Sequence, residues 1–432
     1  MDMLQMAALA KSAAVKMGVQ SSQAKNTALA AIVSALSAQA EEIIAANRRD
    51  LAAAEQAGIA PAVLKRLNFG EAKLTEVIRG IESLISLPDP VGDTLRATEL
   101  DAGLELYKVS CPLGVIGMIF ESRPDALVQI STLCLKSGNA VLLKGGSEAR
   151  HTNQILAQVI AAAGQDAGMP CGWLQLLESR AEVSAMLRLD NYIDLIVPRG
   201  SNDLVKYIKQ NTSIAVLGHA DGICHVYVDA AADLSMASRI VLDSKTQYVS
   251  VCNAAETLLV HEAVAGAFLP EVWAELQRAG VRVLGCPATQ AIIPVEAASE
   301  QDWRTEYLDY VLSIRVVPTL SDAIEHINHY GSHHTDVIVT ADTQAAASFL
   351  GLVDSADVFW NCSSRFSDGY RFGLGAEVGI STNKVHARGP VGLEGLVIYK
   401  WLLKGQGQVV ADYAQGRRKF THRALDRKFS LE

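Results

Sequence analysis

From Leu113 onward, runs of consecutive apolar residues alternate with helical segments, and this texture constrains the fold more than any other feature of the chain. LGVIGMIF (113–120), AVLLK (140–144), WLQLL (173–177), YIDLIVP (192–198) and SIAVL (213–217) are separated by stretches of helical spacing, beginning after Pro124 and at Ser147 and Ser201. A strand with one wet face alternates apolar and polar residues, whereas a strand with no polar side must be covered on both faces. Intervening helices supply the covers, so the pattern predicts a parallel, doubly wound sheet. A second series runs from about Val226 to Trp360: AETLLV, a helix over 263–279, VRVL, YVLSIRVV, a helix from Ser321, and DVIVT.

The flanks read differently. Residues 1–95 are helical in pattern, with Ser21 or Ser22 capping one long Ala-rich helix that runs towards Ala57 and stops at Gly58. Pro88 and Pro90 close that region. The stretch from Leu104 to Val109 alternates like a half-solvated strand, and GLVIYKWLL (395–403) is strand-like again beyond the Gly-rich segment 369–395. The expectation is two α/β units plus two stray strand segments.

Lys+Arg 38 against Asp+Glu 47 leaves a net charge of −9, which argues against nucleic acid as a partner. A few local arginines can still reverse the field within one cleft, so an anionic small substrate stays open. The N-terminal MDMLQMAALAKSAAVK lacks a basic leader, and Lys11 and Lys16 interrupt its apolar stretch. It reads as an amphipathic helix and not a signal peptide. No run reaches the roughly 18 apolar residues of a membrane span. The seven cysteines are scattered, odd in number and without a C-x-x-C pair, which predicts free thiols and a reducing cytoplasm.

There is no Walker loop and no G-x-G-x-x-G; Gly373, Gly375 and Gly379 have the wrong spacing and no strand immediately before them. Lys144-Gly145-Gly146-Ser147 puts a cation and free N–H groups at the carboxyl end of a buried strand, as a ligand crevice requires, although a solvated loop lysine fits equally well. Pro198-Arg199-Gly200-Ser201 offers a strand end, a small residue and a helix N-terminus that could face a pyrophosphate, with an ordinary βα turn as its plain alternative. His326, His329, His333 and His334 invite a zinc reading, but no carboxylate or cysteine of suitable spacing accompanies them, so no metal is expected. Cys252 lies in a polar loop, Ser244 to Asn253, before AETLLV; it is either a reactive loop thiol or a buried cysteine at a strand start.

The segments SVCNAAETLLV, VLLKGGSEARHTN, GMIFESRPDA and RFGLGAEVGISTNKVHARGPVGLEGL together resemble the glutamate-5-semialdehyde dehydrogenase (γ-glutamyl phosphate reductase) family, and more distantly the aldehyde dehydrogenases. That resemblance covers the whole chain. It implies an aldehyde dehydrogenase-like α/β fold, with two doubly wound α/β domains and a β-hairpin oligomerisation arm. The expected division is a cofactor-binding domain over 1–225, interrupted by an arm strand at about 97–112, a catalytic domain over 226–384, and a C-terminal arm over 385–432. By the same resemblance Cys252 is the catalytic thiol, Lys144 meets the adenosine ribose, and Glu306 holds the nicotinamide ribose. Gly200 and Ser201, from the strand end and helix start after Pro198, are the further cofactor candidates. Ser147 stands where NAD-preferring relatives often carry a glutamate, which implies NADPH (NADP). A stand-alone reductase is implied, a homo-oligomer functionally associated with glutamate 5-kinase, with neither nucleic acid nor membrane as a partner.

One departure is informative. Hydrolysing aldehyde dehydrogenases carry a glutamate base in a Leu-Glu-Leu-Gly-Gly segment; here the run is Ala215-Val216-Leu217-Gly218-His219. With Val216 in place of the base, water is poorly activated to attack a thioester. The implied reaction is therefore reduction of L-glutamyl 5-phosphate to L-glutamate 5-semialdehyde, the second step of proline biosynthesis from glutamate. Within it the Cys252 N–H and Ser122 are candidate oxyanion donors, Arg123 a candidate for the phosphate, and Asn361, Ser363 and Arg365 candidates for the substrate α-carboxylate.

Overall fold

The computed structural model describes residues 1–431 apart from Ser201, His219, Ala220 and Ala376, with Ala62 and Arg180 described by backbone alone. The arm begins with an antiparallel pair, β1 (Thr94–Asp101) and β2 (Leu104–Pro112), joined by a two-residue turn through Ala102 and Gly103. A parallel sheet follows, of β3 (Val115–Phe120), β4 (Ala140–Lys144), β5 (Leu174–Leu176) and β6 (Leu195–Arg199), in the order β5-β4-β3-β6. Strands β3 and β4 are buried at every residue, as their unbroken apolar runs require.

The larger parallel sheet has the order β10-β9-β11-β8-β7-β12-β13. Its strands are β7 (Cys224–Val228), β8 (Ala255–His261), β9 (Arg282–Gly285), β10 (Glu296–Ala297), β11 (Val311–Val317), β12 (Thr335–Val339) and β13 (Asp357–Trp360). A short antiparallel pair, β14 (Gly379–Ser381) and β15 (Gly389–Val391), leads to β16 (Val397–Lys404), which pairs with β2 along its whole length. β17 (Arg423–Ala424) completes an arm sheet of order β16-β2-β1-β17. The arm thus joins residues 94–112 to strands from the C-terminal part of the chain, and its first contribution is a hairpin where the sequence suggests one strand.

Two expected elements differ. The Ala-rich helix is two helices, Ser22–Ala38 and Ala40–Gln56, bent by 67° at Gln39. Neither proline nor glycine causes the bend. The second helix must deliver buried Asp50 to the start of the helix Arg150–Asp166, where its carboxylate accepts from Thr152 N (2.8 Å), Thr152 Oγ1 (2.6 Å) and His151 N (3.1 Å). SIAVL is not a strand either: Val216 makes one isolated parallel bridge to Ile196. No single helix among the described residues is long and apolar enough to cross a membrane.

The core of the first unit reaches beyond its sheet. Val378, Val391, Leu393 and Leu396 pack into the same cluster as Val115, Leu142 and Ile196. The chain therefore returns to the first unit after leaving the large sheet.

Candidate active site

In the first sheet β3 lies between β4, which follows it, and β6, which comes last, so connections diverge at the carboxyl ends of β3 and β6. Such a divergence opens a crevice in which α/β proteins bind ligands. Here its walls are Glu121, Ser122 and Arg123 after β3, and Arg199 and Gly200 at the end of β6. Glu121 N donates to Arg199 O (3.1 Å).

Cys252 faces this crevice from the amino end of the large sheet. It lies between the helix Leu234–Thr246 and β8, so Ser244, Lys245 and Thr246 belong to the helix and not to the loop. The loop is held from several sides. Ser244 Oγ accepts from Ser364 N (3.1 Å), Ser364 Oγ donates to Asn253 O (2.7 Å), and Asn253 Nδ2 donates to Ser367 O (2.6 Å). Cys224 Sγ donates to Cys252 O (3.2 Å). The approach of the neighbouring backbone demands glycine at 222, where a Cβ would lie 2.2 Å from Cys252 O.

The half-buried Cys252 thiol is pushed up to about 12, first by burial and then by the Glu377 and Glu306 carboxylates, against the pull of Arg199. Glu377 is itself held above the ordinary carboxylate range by burial, while Oε2 accepts from Gly369 N (2.8 Å) and Arg199 and Arg123 pull it back. Glu306 is raised by burial too, and its Oε2 accepts from Asn202 Nδ2 (3.1 Å). Beneath the loop, Lys245 Nζ and Glu256 Oε2 form a fully buried ion pair at 2.6 Å, and Glu256 also accepts from Leu308 N (3.2 Å).

A separate cavity of about 320 Å³ opens beyond β4, lined by Lys144, Gly145, Gly146, Ser147, Asn153 and Glu178 among others. An adjoining groove of about 460 Å³ shares Gln154, Leu176 and Glu178 and runs along β5. Lys144 is buried and its ammonium donates to Gly145 O, while Ser147 is exposed on the cavity wall. Position 145 must be glycine, because a Cβ there would lie 2.1 Å from Asn153 Nδ2. Asn153 Oδ1 is buried in this wall without a hydrogen-bond partner, a group that a polar ligand would satisfy.

The remaining candidates lie in varied settings. Ser122 has a left-handed backbone (φ 48°), and both its N–H and hydroxyl donate to Glu148 Oε1 at 2.6 and 2.7 Å. To serve an oxyanion it would have to release that bond. Arg123 is half-exposed and pairs with Asp125 at 3.3 Å. Asn361 closes its amide on the Thr340 backbone, accepting at 3.0 Å and donating at 2.9 Å. Ser363 Oγ lies 3.1 Å from Ser244 Oγ and accepts from Arg365 N (3.2 Å). Arg365 is buried, donates to Gln247 Oε1 (3.0 Å) and lies within electrostatic reach of Cys252. Gly200 is exposed behind Arg199, and Ser201 is outside the described residues. The four histidines are engaged separately, His326 with Arg315, His329 with Arg304, His333 with Asp354 O and His334 with Thr335.

Sequence reasoning passed over Arg199 as a site residue, and Glu377 and the Lys245–Glu256 pair altogether. Arg199 carried a usable signal: a charged residue ending a buried parallel strand, the same sign that singled out Lys144. The other three sit in segments whose spacing says nothing about what they face.

Comparison with known proteins gives this geometry a family. Residues 2–291 match the aldehyde dehydrogenase family. A γ-glutamyl phosphate reductase from Acetivibrio thermocellus is 59% identical over 431 residues, covering 100% of each chain. The crystal structure of γ-glutamyl phosphate reductase from Thermotoga maritima matches with a TM-score of 0.93 and 39% identity, covering 95% of this chain and 100% of that one. An engineered glycolyl-CoA reductase with bound NADP⁺ shares the fold at a TM-score of 0.63 and 16% identity, covering 93% of this chain and 96% of its own. The chain therefore belongs to the γ-glutamyl phosphate reductases, oxidoreductases within the aldehyde dehydrogenase family.

Proposed function

We propose that this protein reduces L-glutamyl 5-phosphate to L-glutamate 5-semialdehyde and phosphate, with NADPH as reductant and Cys252 as covalent carrier, in the proline branch of glutamate metabolism. The observation that carries this reading is a cysteine held between a guanidinium and two carboxylates in a chain that matches γ-glutamyl phosphate reductases from end to end.

Cys252 sulfur bonds to the acyl carbon and the carbon–oxygen bond to phosphate breaks, leaving a thioester. A thiol pushed up to about 12 is protonated at rest, so its proton must leave as the sulfur attacks. Glu377, already raised by burial, takes that proton and passes it to the departing phosphate. NADPH, when bound, supplies the hydride that reduces the thioester. The backbone N–H of Cys252 steadies the developing oxyanion, with Ser122 as second donor once it releases Glu148. Sulfur then leaves the carbon and recovers a proton as the aldehyde forms.

The residues beyond β4 fit a dinucleotide: a buried lysine, an unpartnered Asn153 oxygen and an exposed serine border one elongated crevice. Lys144 would meet the ribose, and Gly200 is assigned to the cofactor as well. Arg365 and Ser363 are assigned to the substrate α-carboxylate, with Asn361 shaping their turn. Self-association through the arm is supported by edge strand β16, which exposes Tyr399, Trp401 and Leu403. The seven cysteines are free thiols, in keeping with a reducing cytoplasm.

Two measurements test the reading. Supplied with semialdehyde and NADP⁺, the enzyme is expected to reduce NADP⁺ only when inorganic phosphate is present; equal turnover without phosphate, releasing free glutamate, would make it a hydrolytic dehydrogenase instead. Ser147→Glu places a carboxylate where the 2′-phosphate is expected, and repulsion of about 1–3 kcal/mol would weaken NADPH roughly tenfold to a hundredfold while sparing NADH. Similar losses for both cofactors, measured by titration, would remove Ser147 from cofactor selection.

A further inference from the structure

Arg199 stands apart from the other arginines near Cys252. Arg123 is paired with Asp125, and Arg365 donates to Gln247. Among the described residues the Arg199 guanidinium makes neither a hydrogen bond nor an ion pair, although its side chain is half-buried and reaches Gly379, where a Cβ would lie 4.0 Å from Nε. Burial and Arg123 act against its charge, while Glu377, Asp125 and the Cys252 sulfur favour it. A desolvated guanidinium without a partner is costly, and an incoming anion removes that cost.

Its position indicates which anion. Arg199 ends β6 at the mouth of the crevice, and it is the foremost cation acting on the Cys252 sulfur. The group nearest the sulfur in the reacting substrate is the phosphate on the acyl carbon; the α-carboxylate lies several bonds away. A planar guanidinium also matches two phosphate oxygens at once.

We propose that Arg199 binds the phosphate of the acyl phosphate, holding it for departure in the reductive direction and for attack on the thioester in the reverse. This deepens the reductase reading and rests on it. Arg123, tied to Asp125 at the surface, then supplies background charge and not the contact itself. The bond that breaks remains the acyl carbon–oxygen bond, and the dianion leaves onto Arg199.

The test compares wild type with Arg199→Gln and Arg199→Lys in two assays. In the first, iodoacetamide labels Cys252 with and without inorganic phosphate, read by peptide mass. Phosphate should protect the wild type, fail to protect Arg199→Gln, and protect Arg199→Lys in part. In the second, semialdehyde and NADP⁺ turn over with varied phosphate; the phosphate KM should rise about 10- to 100-fold in Arg199→Gln, with the semialdehyde KM little changed. Equal protection and equal phosphate KM in wild type and Arg199→Gln would overturn the assignment, as would a wild type that phosphate does not protect. Phosphate-independent turnover by the wild type would instead overturn the reductase reading, while the labelling assay still decides whether Arg199 holds phosphate. A thermal melt of each variant, with partial rescue by lysine, separates loss of the contact from loss of the fold.

Discussion

Cys252→Ala should lower turnover by about four orders of magnitude or more, because no other group can form the acyl-enzyme. NADPH affinity should stay within about twofold, since the crevice beyond β4 contains none of the cysteine loop. Fluorescence titration of NADPH against both proteins, beside steady-state rates, checks the two halves together. Substantial residual turnover in the alanine variant would end the covalent mechanism. The unliganded thiol should also show its environment. With burial, Glu377 and Glu306 holding it up to about 12, the rate of alkylation should climb about tenfold per pH unit through pH 9 and beyond. A free cysteine would level off near about 8.5. A plateau below pH 8 would mean that the carboxylates do not govern the sulfur.

Lys245→Met should destabilise the protein by about 3–5 kcal/mol, the usual cost of removing one partner from a buried ion pair. Lys245 lies in the last turn of the helix before the cysteine loop and Glu256 near the start of the strand after it, while Glu256 also holds Leu308 N beside Glu306. The pair therefore clasps the loop at its base, and its loss should reduce the maximal rate as well as the stability. The sign of the pH dependence follows from Glu256, which burial raises to about 7 even with its lysine present. Without the lysine its folded value rises further above the unfolded one, so stability falls as pH climbs from about 4.5 through the folded value. The variant should lie closer to wild type at pH 5 than at pH 8 in urea unfolding. Adding Glu256→Met should recover most of the loss; a double variant as unstable as the single would show that packing, not charge, dominates here.

The elements legible in the sequence are those whose reason is local. AVLLK matches β4 at both ends, and the long apolar runs around it are buried because they have no polar side to expose. The bend at Gln39 was hidden because its cause, the capping of a helix by Asp50, lies more than a hundred residues along the chain. SIAVL has strand composition, but it makes only one bridge to Ile196. At the site, Lys144 and Cys252 carried signals of position or of family, whereas Glu377 becomes notable only once the segment before β14 is folded back towards the cysteine. His326 and His329 do meet on the Tyr330 ring, but their ring nitrogens bond to different arginines.

The return of Val378, Val391, Leu393 and Leu396 to the first unit's core sets a schedule for synthesis. A ribosome that has released the first sheet and its helices has not yet released the residues that close their core. The large sheet, whose strands lie between Cys224 and Trp360, can assemble first. Of the two parallel-sheet units, the one made earlier is thus completed later, once Leu396 has emerged. Until then its apolar surface stays open to chaperones and to other nascent chains. Glu377 arrives with the same returning segment, so the crevice gains its full charge only at the moment the core closes.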